Sequence, residues 1–408
     1  MFLQLVLDAA CSLRGASAVL KLLGGLLPDV QRAPVANAGQ LWLLRIGLYE
    51  LTRPKEAADD WVWIVDHTVQ IGVVKCLAIV GCRLSVWQAG VRPLEHRDLQ
   101  VLALEPVESS DGEVVYRQLE ETSRKTGSVP RAILSDEGTD LKRGIQAFCG
   151  EHAETSGSLD IAHQAAKILK RELQGDPHWQ GFVGQAGGVR QRLAQTPWAH
   201  LLPPTQRDKA RYMNLAPLVA WGGNVLAHLD RCRAEVSPSA DFDALQVKLG
   251  WLADYRQALL EWGELMAAID ATLHYVRHDG YHRRAARALR PQLVPLTTTR
   301  RTRRFATRLL AFVRSQSARA KPGERLIGSS EVLESLLGKG KRLEGQQSKS
   351  GFTKMLLGVA AAVVEPTREY LTRAFAHVKT EDVTTWCRKR LGISLQSQRR
   401  KAFADGTN

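Results

Sequence analysis

Two short apolar runs, Trp61-Val62-Trp63-Ile64-Val65 and Ala132-Ile133-Leu134-Ser135, each end in an aspartate, Asp66 and Asp136. A strand that is apolar on both faces belongs in the middle of a covered sheet, and open α/β sheets hold ligands at the carboxyl ends of such strands. Two strands of this kind can aim two carboxylates at one point. Converging carboxylates usually hold hard divalent cations, because Mg²⁺ prefers oxygen ligands and offsets the repulsion between the acids. The expectation is metal-dependent phosphoryl transfer.

The sequence around these runs divides by period. Residues 1–56 read as helical, with apolar spacing from Leu13 to Leu20 and from Leu41 to Leu48, separated by the breaker cluster Gly24-Gly25-Leu26-Leu27-Pro28-Asp29. Two readings stand for this module: a helix-turn-helix with Asn37 to Leu48 as its recognition helix, or a helical cap on the next domain. From Asp59 the period shortens. Trp61 to Asp66, Val73 to Gly81 and Leu99 to Pro106 predict strands, with Gly72 and Gly90 at the turns. A helix from Val114 to Thr126, the strand ending at Asp136 and a helix from Thr139 to Cys149 complete a β-β-β-α-β-α order. RNase H-like domains use this order, and there the first and fourth strands are neighbours, so acids at their carboxyl ends converge.

Residues 176–325 are rich in Leu, Ala, Trp and Arg at helical spacing, with no alternating strand pattern. Ser329-Ser330 caps a further helix from Glu331 to Leu336, which Gly338 and Gly340 weaken, and the apolar helix Phe352 to Val364 follows before Pro366. The expected fold is an α/β, RNase H-like mixed sheet split by a large all-α insertion. In chain order it has a helical module (1–56), a first core segment (57–175), a helical insertion (176–325), a second core segment (326–385) and a basic tail (386–408).

Charge is concentrated in two places. Of a net +14, the segment Tyr281 to Arg325 carries +12, with twelve Arg and one Lys against the single Glu324, and Trp386 to Asn408 carries +5. A charge run is ordinarily a solvated helix face. Here Arg greatly outnumbers Lys, with Thr297-Thr298-Thr299 and Phe305 interleaved, which favours a surface for phosphate backbones. Arg283, Arg284, Arg300, Arg301, Arg303, Arg304, Arg308 and Arg342 are the candidate contacts to double-stranded DNA. The cysteines are scattered without a Cys-x-x-Cys pair, against a zinc ribbon or a disulfide framework. Gly338-Lys339-Gly340-Lys341 lacks the spacing of a phosphate loop, against kinase-like and ATPase readings. The longest late apolar stretch, Met355 to Val364, has about half the residues a bilayer span needs. No membrane partner is expected, and the location expected is cytoplasmic and nucleoid-associated.

The chain resembles the DDE transposases of bacterial insertion sequences. The resemblance rests on Asp66 in Ile64-Val65-Asp66-His67-Thr68, on Asp136 in Leu134-Ser135-Asp136-Glu137-Gly138, and on a third acid from a late helix. Glu334 is the choice for that acid. It stands seven positions before Lys341, similar to the glutamate and lysine spacing of one large transposase group, although that group's upstream Tyr and Arg are replaced here by Ile327 and Ser330. Asp160-Ile161-Ala162-His163 is similar to the Cys-or-Asp, two residues, His motif of many eukaryotic DDE transposases. Those of the hobo/Activator type also carry a helical insertion before the glutamate.

The resemblance implies cleavage at transposon ends and transfer of the released 3′-hydroxyl into target DNA. Two Mg²⁺ ions, or Mn²⁺, would lie about 3.5 to 4 Å apart. Asp66 would bridge them, with Asp136 on one and Glu334 on the other. A homodimer or larger assembly on paired DNA ends is also implied. Glu331, Glu261 and Glu264 are the alternatives for the third acid. His163 would contact DNA or order a water, with Asp160 orienting its imidazole, or the two form a buried pair at the sheet edge. Lys341 is a further auxiliary candidate. His67 alternates to the strand face opposite Asp66 and receives no role. Trp221, Trp251 and Trp262 read as core, with base stacking as the alternative. Two other functions compete: an RNase H-like structure-specific nuclease, and a transposase-derived DNA-binding protein without catalysis.

Overall fold

The computed structural model describes residues 1–26, 33–71, 74–206, 212, 215–235, 240–345, 352–391 and 402–403. Leu27-Pro28-Asp29 of the expected breaker, the turn at Gly72 and most of the basic tail lie outside the described residues. In chain order the elements are α1 (Phe2–Leu7), α2 (Leu13–Leu26), α3 (Ala36–Thr52), β1 (Trp61–Ile71), β2 (Val74–Arg83), α4 (Leu84–Gln88), β3 (Gln100–Val107), α5 (Gly112–Thr126), β4 (Ala132–Ser135), α6 (Thr139–Glu151) and β5 (Ser156–Leu159). They continue with α7 (Ile161–Leu173), α8 (Pro177–Leu193), α9 (Ala216–Glu235), α10 (Ala240–Leu249), α11 (Arg256–Asp279), α12 (Ala285–Leu293) and α13 (Arg300–Ser317). The last are α14 (Glu331–Gly345), α15 (Phe352–Ala361), α16 (Arg368–His377) and α17 (Thr380–Leu391). The protein is thus of mixed α/β class. It divides into two compact units, one of residues 1–158 and 330–408, the other of residues 159–329. Among the described residues no helix is long and apolar enough to cross a membrane.

The first unit is built on a five-stranded sheet of order β3-β2-β1-β4-β5. β1 is central because all of Trp61 to Val65 is apolar, and all five residues are buried. It pairs antiparallel with β2, Val62 opposite Cys82 and Asp66 opposite Ala78, and parallel with β4, Val62 opposite Ala132 through Val65 opposite Ser135. One core gathers Trp61, Trp63, Val65, Leu77 and Ile79 from the sheet with Val115 and Leu119 of α5 and Leu141, Ile145 and Phe148 of α6. Burying side chains of this size contributes about 1.5–3 kcal/mol each. Asp111 caps α5 by accepting from Val114 N at 2.8 Å, and Gly127 ends it in the left-handed region at φ 63°.

The N-terminal and C-terminal helices of this unit meet on α3. Leu43, Leu44, Ile46, Gly47, Leu48 and Leu51 of α3 are buried, and the helix packs on α2, α15, α16, α17 and β3. A Cβ at Gly47 would overlap the Leu357 carbonyl of α15, so only glycine lets these helices approach so closely. Gly340 acts the same way between α14 and α15, where a Cβ would overlap the Val359 side chain. Here the structure departs from expectation: α14 runs through Gly338 and Gly340 to Gly345, since the contact with α15 outweighs the helix cost of about 1 kcal/mol per glycine.

The second unit is helical. Its centre is an aromatic cluster of Trp179, Phe182, Trp221, Trp251, Tyr255 and Trp262, with Trp179 and Trp262 edge-on at 4.9 Å. Trp262 is fully buried and Trp221 nearly so. Asp176 with Pro177 starts α8, and Thr299 with Thr302 forms a reciprocal cap at the start of α13.

Candidate active site at the carboxyl edge of the sheet

Asp66 follows Val65 in β1 and Asp136 follows Ser135 at the end of β4, and Val65 and Ser135 are the last paired residues of this parallel ladder. The two aspartates therefore leave neighbouring strands at one level, and both are partly exposed. Beyond this point β1 continues to Ile71 while β4 gives way to the turn into α6. Backbone N–H groups orient both acids: His67 N donates to Asp66 Oδ1 at 2.7 Å, and Gly138 N to Asp136 Oδ1 at 2.9 Å. Gly138 leaves room for this turn, because a Cβ there would stand 3.1 Å from Asp136 Oδ1 and 3.2 Å from Asp140 Oδ1.

Three further residues border the acids: His67, given no role from the sequence, and Ser110 and Asp140, not singled out from it. His67 Nε2 lies 2.9 Å from Ser110 Oγ and 3.7 Å from Asp140 Oδ2. Burial pushes the His67 pKa down, against the pull of Asp140 and Asp136 and with the help of Lys75. Burial alone would raise Asp140, yet hydrogen bonds from Ser110 and Leu141 N and the nearby His67 hold it below its ordinary value. Both Ser110 and Asp140 address the same imidazole nitrogen, so the trio is not arranged as a Ser-His-Asp triad, where serine and acid bind opposite nitrogens. Its effect is to tie the segment after Asp66 to the loop before α5 and to the first turn of α6. Asp140 had a sequence signal, since it is the acid in the first turn of the helix that follows Asp136. Ser110, in a loop, had none.

Glu334 lies in the first turn of α14, a helix that packs beside β1, and its side chain is exposed. Lys341 and Arg342 are exposed on the same helix. Glu331, in the same first turn, lines a groove of about 630 Å³ with Ser335, Lys339, Asp8, His96 and Arg97. Among the described residues no three His, Cys, Asp or Glu side chains gather as a group that could hold a metal ion. In kind, the oxygen donors of Asp66 and Asp136 suit a hard cation.

The remaining candidates belong to the helical unit. Glu264 accepts from Thr298 N at 2.8 Å and from the hydroxyls of Thr298 and Thr302, so its carboxylate caps the entry to α13. Glu261 stands 3.7 Å from Arg301. Asp160 is buried and caps α7, accepting from His163 N at 2.8 Å and contacting His163 Nδ1 at 3.0 Å. The arginines separate into two sets. Arg301 bonds Glu172 at 2.9 Å and Asp176 at 2.8 Å, Arg308 bonds Glu172 at 3.0 Å, and Arg304 lies 3.8 Å from Glu172. Arg283 donates to the Ala320 carbonyl and Arg303 to that of Thr297, both at 3.3 Å. Arg283, Arg284, Arg300, Arg303, Arg304 and Arg308 are exposed, whereas Arg301 is half-buried. No protein-family model matches the chain, and no curated protein matches its sequence.

Proposed function

We propose that the chain is a DDE-type DNA transposase on an RNase H-like core, cleaving transposon ends and joining the 3′-hydroxyl to target DNA. The observation that carries this reading is the placement of Asp66 and Asp136 at one level on neighbouring parallel strands. The order β3-β2-β1-β4-β5 supports it, with the first three strands antiparallel and the fourth parallel to the first. The packing of α14 beside β1 also supports it, since that helix carries Glu334.

Asp66 and Asp136, with Glu334 as third acid, are the residues that would hold Mg²⁺. When bound, such ions lower the barrier to attack by water or a 3′-hydroxyl and stabilise the departing oxygen. The backbone N–H groups of His67 and Gly138 hold the two aspartates in place before any ion arrives, which reduces the reorganisation binding requires. Exposed arginines on α12 and α13 supply positive charge for a phosphate backbone.

The test is a labelled duplex bearing the element's own ends, incubated with and without Mg²⁺. Metal-dependent nicking at those ends by wild type, with DNA binding retained but nicking lost in Asp66→Ala and Asp136→Ala, is the expected result. Tight binding without nicking by wild type would favour a DNA-binding protein that has lost catalysis. Cleavage of branched or hybrid duplexes in preference to the ends would favour a structure-specific nuclease.

A further inference from the structure

We infer that His274 and His278 on α11 form a two-imidazole site for a borderline transition-metal ion of the Ni²⁺, Cu²⁺ or Zn²⁺ class. The residues are one helical turn apart, a spacing that puts both side chains on one face. Their rings stand 4.2 Å apart, tilted by 36°. His274 is exposed and His278 partly exposed, so an ion can reach them from solvent.

The tautomer of His278 is set for coordination. Its Nδ1 lies 2.8 Å from the His274 carbonyl oxygen. A carbonyl only accepts, so Nδ1 carries a proton, and in the neutral ring Nε2 is the nitrogen that can coordinate. Metal-binding histidines generally hold their second N–H in this way, which orients the ring and raises its basicity. His282, past the end of α11, is used otherwise: its Nε2 lies 2.7 Å from the Tyr275 hydroxyl.

Imidazole pairs select Ni²⁺, Cu²⁺ and Zn²⁺ over Mg²⁺, which prefers oxygen. The site is thus independent of the carboxylates proposed for DNA cleavage. Among the described residues no third His, Cys, Asp or Glu joins the pair in a metal-holding group, so water completes the coordination and the ion exchanges.

The test is calorimetric titration of the full chain with Ni²⁺, comparing wild type with His274→Gln, His278→Gln and His228→Gln. His228, which lies 3.6 Å from Cys232 Sγ on α9, is the control for a second His-containing pair on a helix. Circular dichroism verifies that each variant folds. The expected result is one site per chain whose affinity falls on the order of 10-fold or more in either His274→Gln or His278→Gln and is unchanged in His228→Gln. Wild-type affinity in either of the first two variants, or no Ni²⁺ uptake by wild type, would overturn the inference.

Discussion

Asp66 and Asp136 stand at the same level of the sheet, each one residue past the pair Val65 and Ser135 that closes the parallel β1–β4 ladder. The parallel register, Val62 opposite Ala132 through Val65 opposite Ser135, fixes this level. Two acids leaving neighbouring strands at one level would need less ordering to meet a common cation than acids carried on separate loops.

Asp66→Asn and Asp136→Asn keep the shape of each side chain and the hydrogen bonds from His67 N and Gly138 N. Each is expected to lower Mg²⁺-dependent end cleavage by at least ~10²–10³-fold while DNA affinity stays at the wild-type level. Single-turnover cleavage and a binding titration on the same duplex check this. Glu334→Gln is expected to behave alike; full activity in it would point to Glu331, since Glu264 is committed to the start of α13.

The central strands were legible because Trp61 to Val65 and Ala132 to Leu134 are unbroken apolar runs, and the α5 and α6 helices because their apolar residues recur on one face. β5 was not: Ser156-Gly157-Ser158-Leu159 has neither alternation nor β-branched residues, and it is a strand only because β4 offers it an edge. At the site, Asp66 and Asp136 were visible as strand ends. His67 was set aside on the alternation of strand faces, yet its ring reaches Ser110 and Asp140 from elements distant in sequence. Arg301 looked like any other basic residue of its helix, because nothing in the sequence marks Glu172 and Asp176 as its partners.

His67 is expected to position the edge. Removing its ring in His67→Ala cuts the link from β1 to Ser110 and Asp140, whereas Ser110→Ala removes its hydrogen bonds to His67 and Asp140 and leaves the imidazole beside Asp140. Net contributions are about 0.5–1.5 kcal/mol per hydrogen bond, so Ser110→Ala, which loses two, lowers unfolding free energy by no more than about 3 kcal/mol. End cleavage should fall further in His67→Ala than in Ser110→Ala, with a higher Mg²⁺ concentration needed for half-maximal rate. Equal Mg²⁺ requirements in wild type and both variants would show that the trio is structural only.

Glu50 on α3 ties α16 to this helix through Tyr370. Its buried carboxylate accepts from Arg53 at 2.6 Å, Lys55 at 2.8 Å and the Tyr370 hydroxyl of α16 at 2.8 Å. Burial alone would raise its pKa, but Lys55 and Arg53 hold it below the ordinary 4.5. The stabilisation from a depressed acid is present above the unfolded pKa and is lost as pH falls through the folded one. Glu50→Gln leaves two cations without their charge partner and is expected to cost about 3–5 kcal/mol at pH 7. In denaturant unfolding, the gap between wild type and Glu50→Gln should shrink as pH falls below 4.5. A gap independent of pH would contradict the assignment.

Arginines of the helical unit should split by function according to their partners. Arg301 ties α13 to Glu172 of α7 and to Asp176 at the start of α8, so Arg301→Ala is expected to destabilise the chain by about 2–4 kcal/mol. Arg301→Lys should not restore it, because a single ammonium cannot bond both acids as the planar guanidinium does. Arg284 and Arg300 are exposed, and their alanine variants should unfold within about 0.5 kcal/mol of wild type. If these two meet phosphates, each loss weakens DNA binding about equally for all sequences and reduces the slope of log affinity against log salt by about 1. Binding titrations across a salt series, paired with denaturant unfolding, separate the two sets. An unchanged slope in Arg284→Ala and Arg300→Ala would remove these two arginines from the DNA-binding surface.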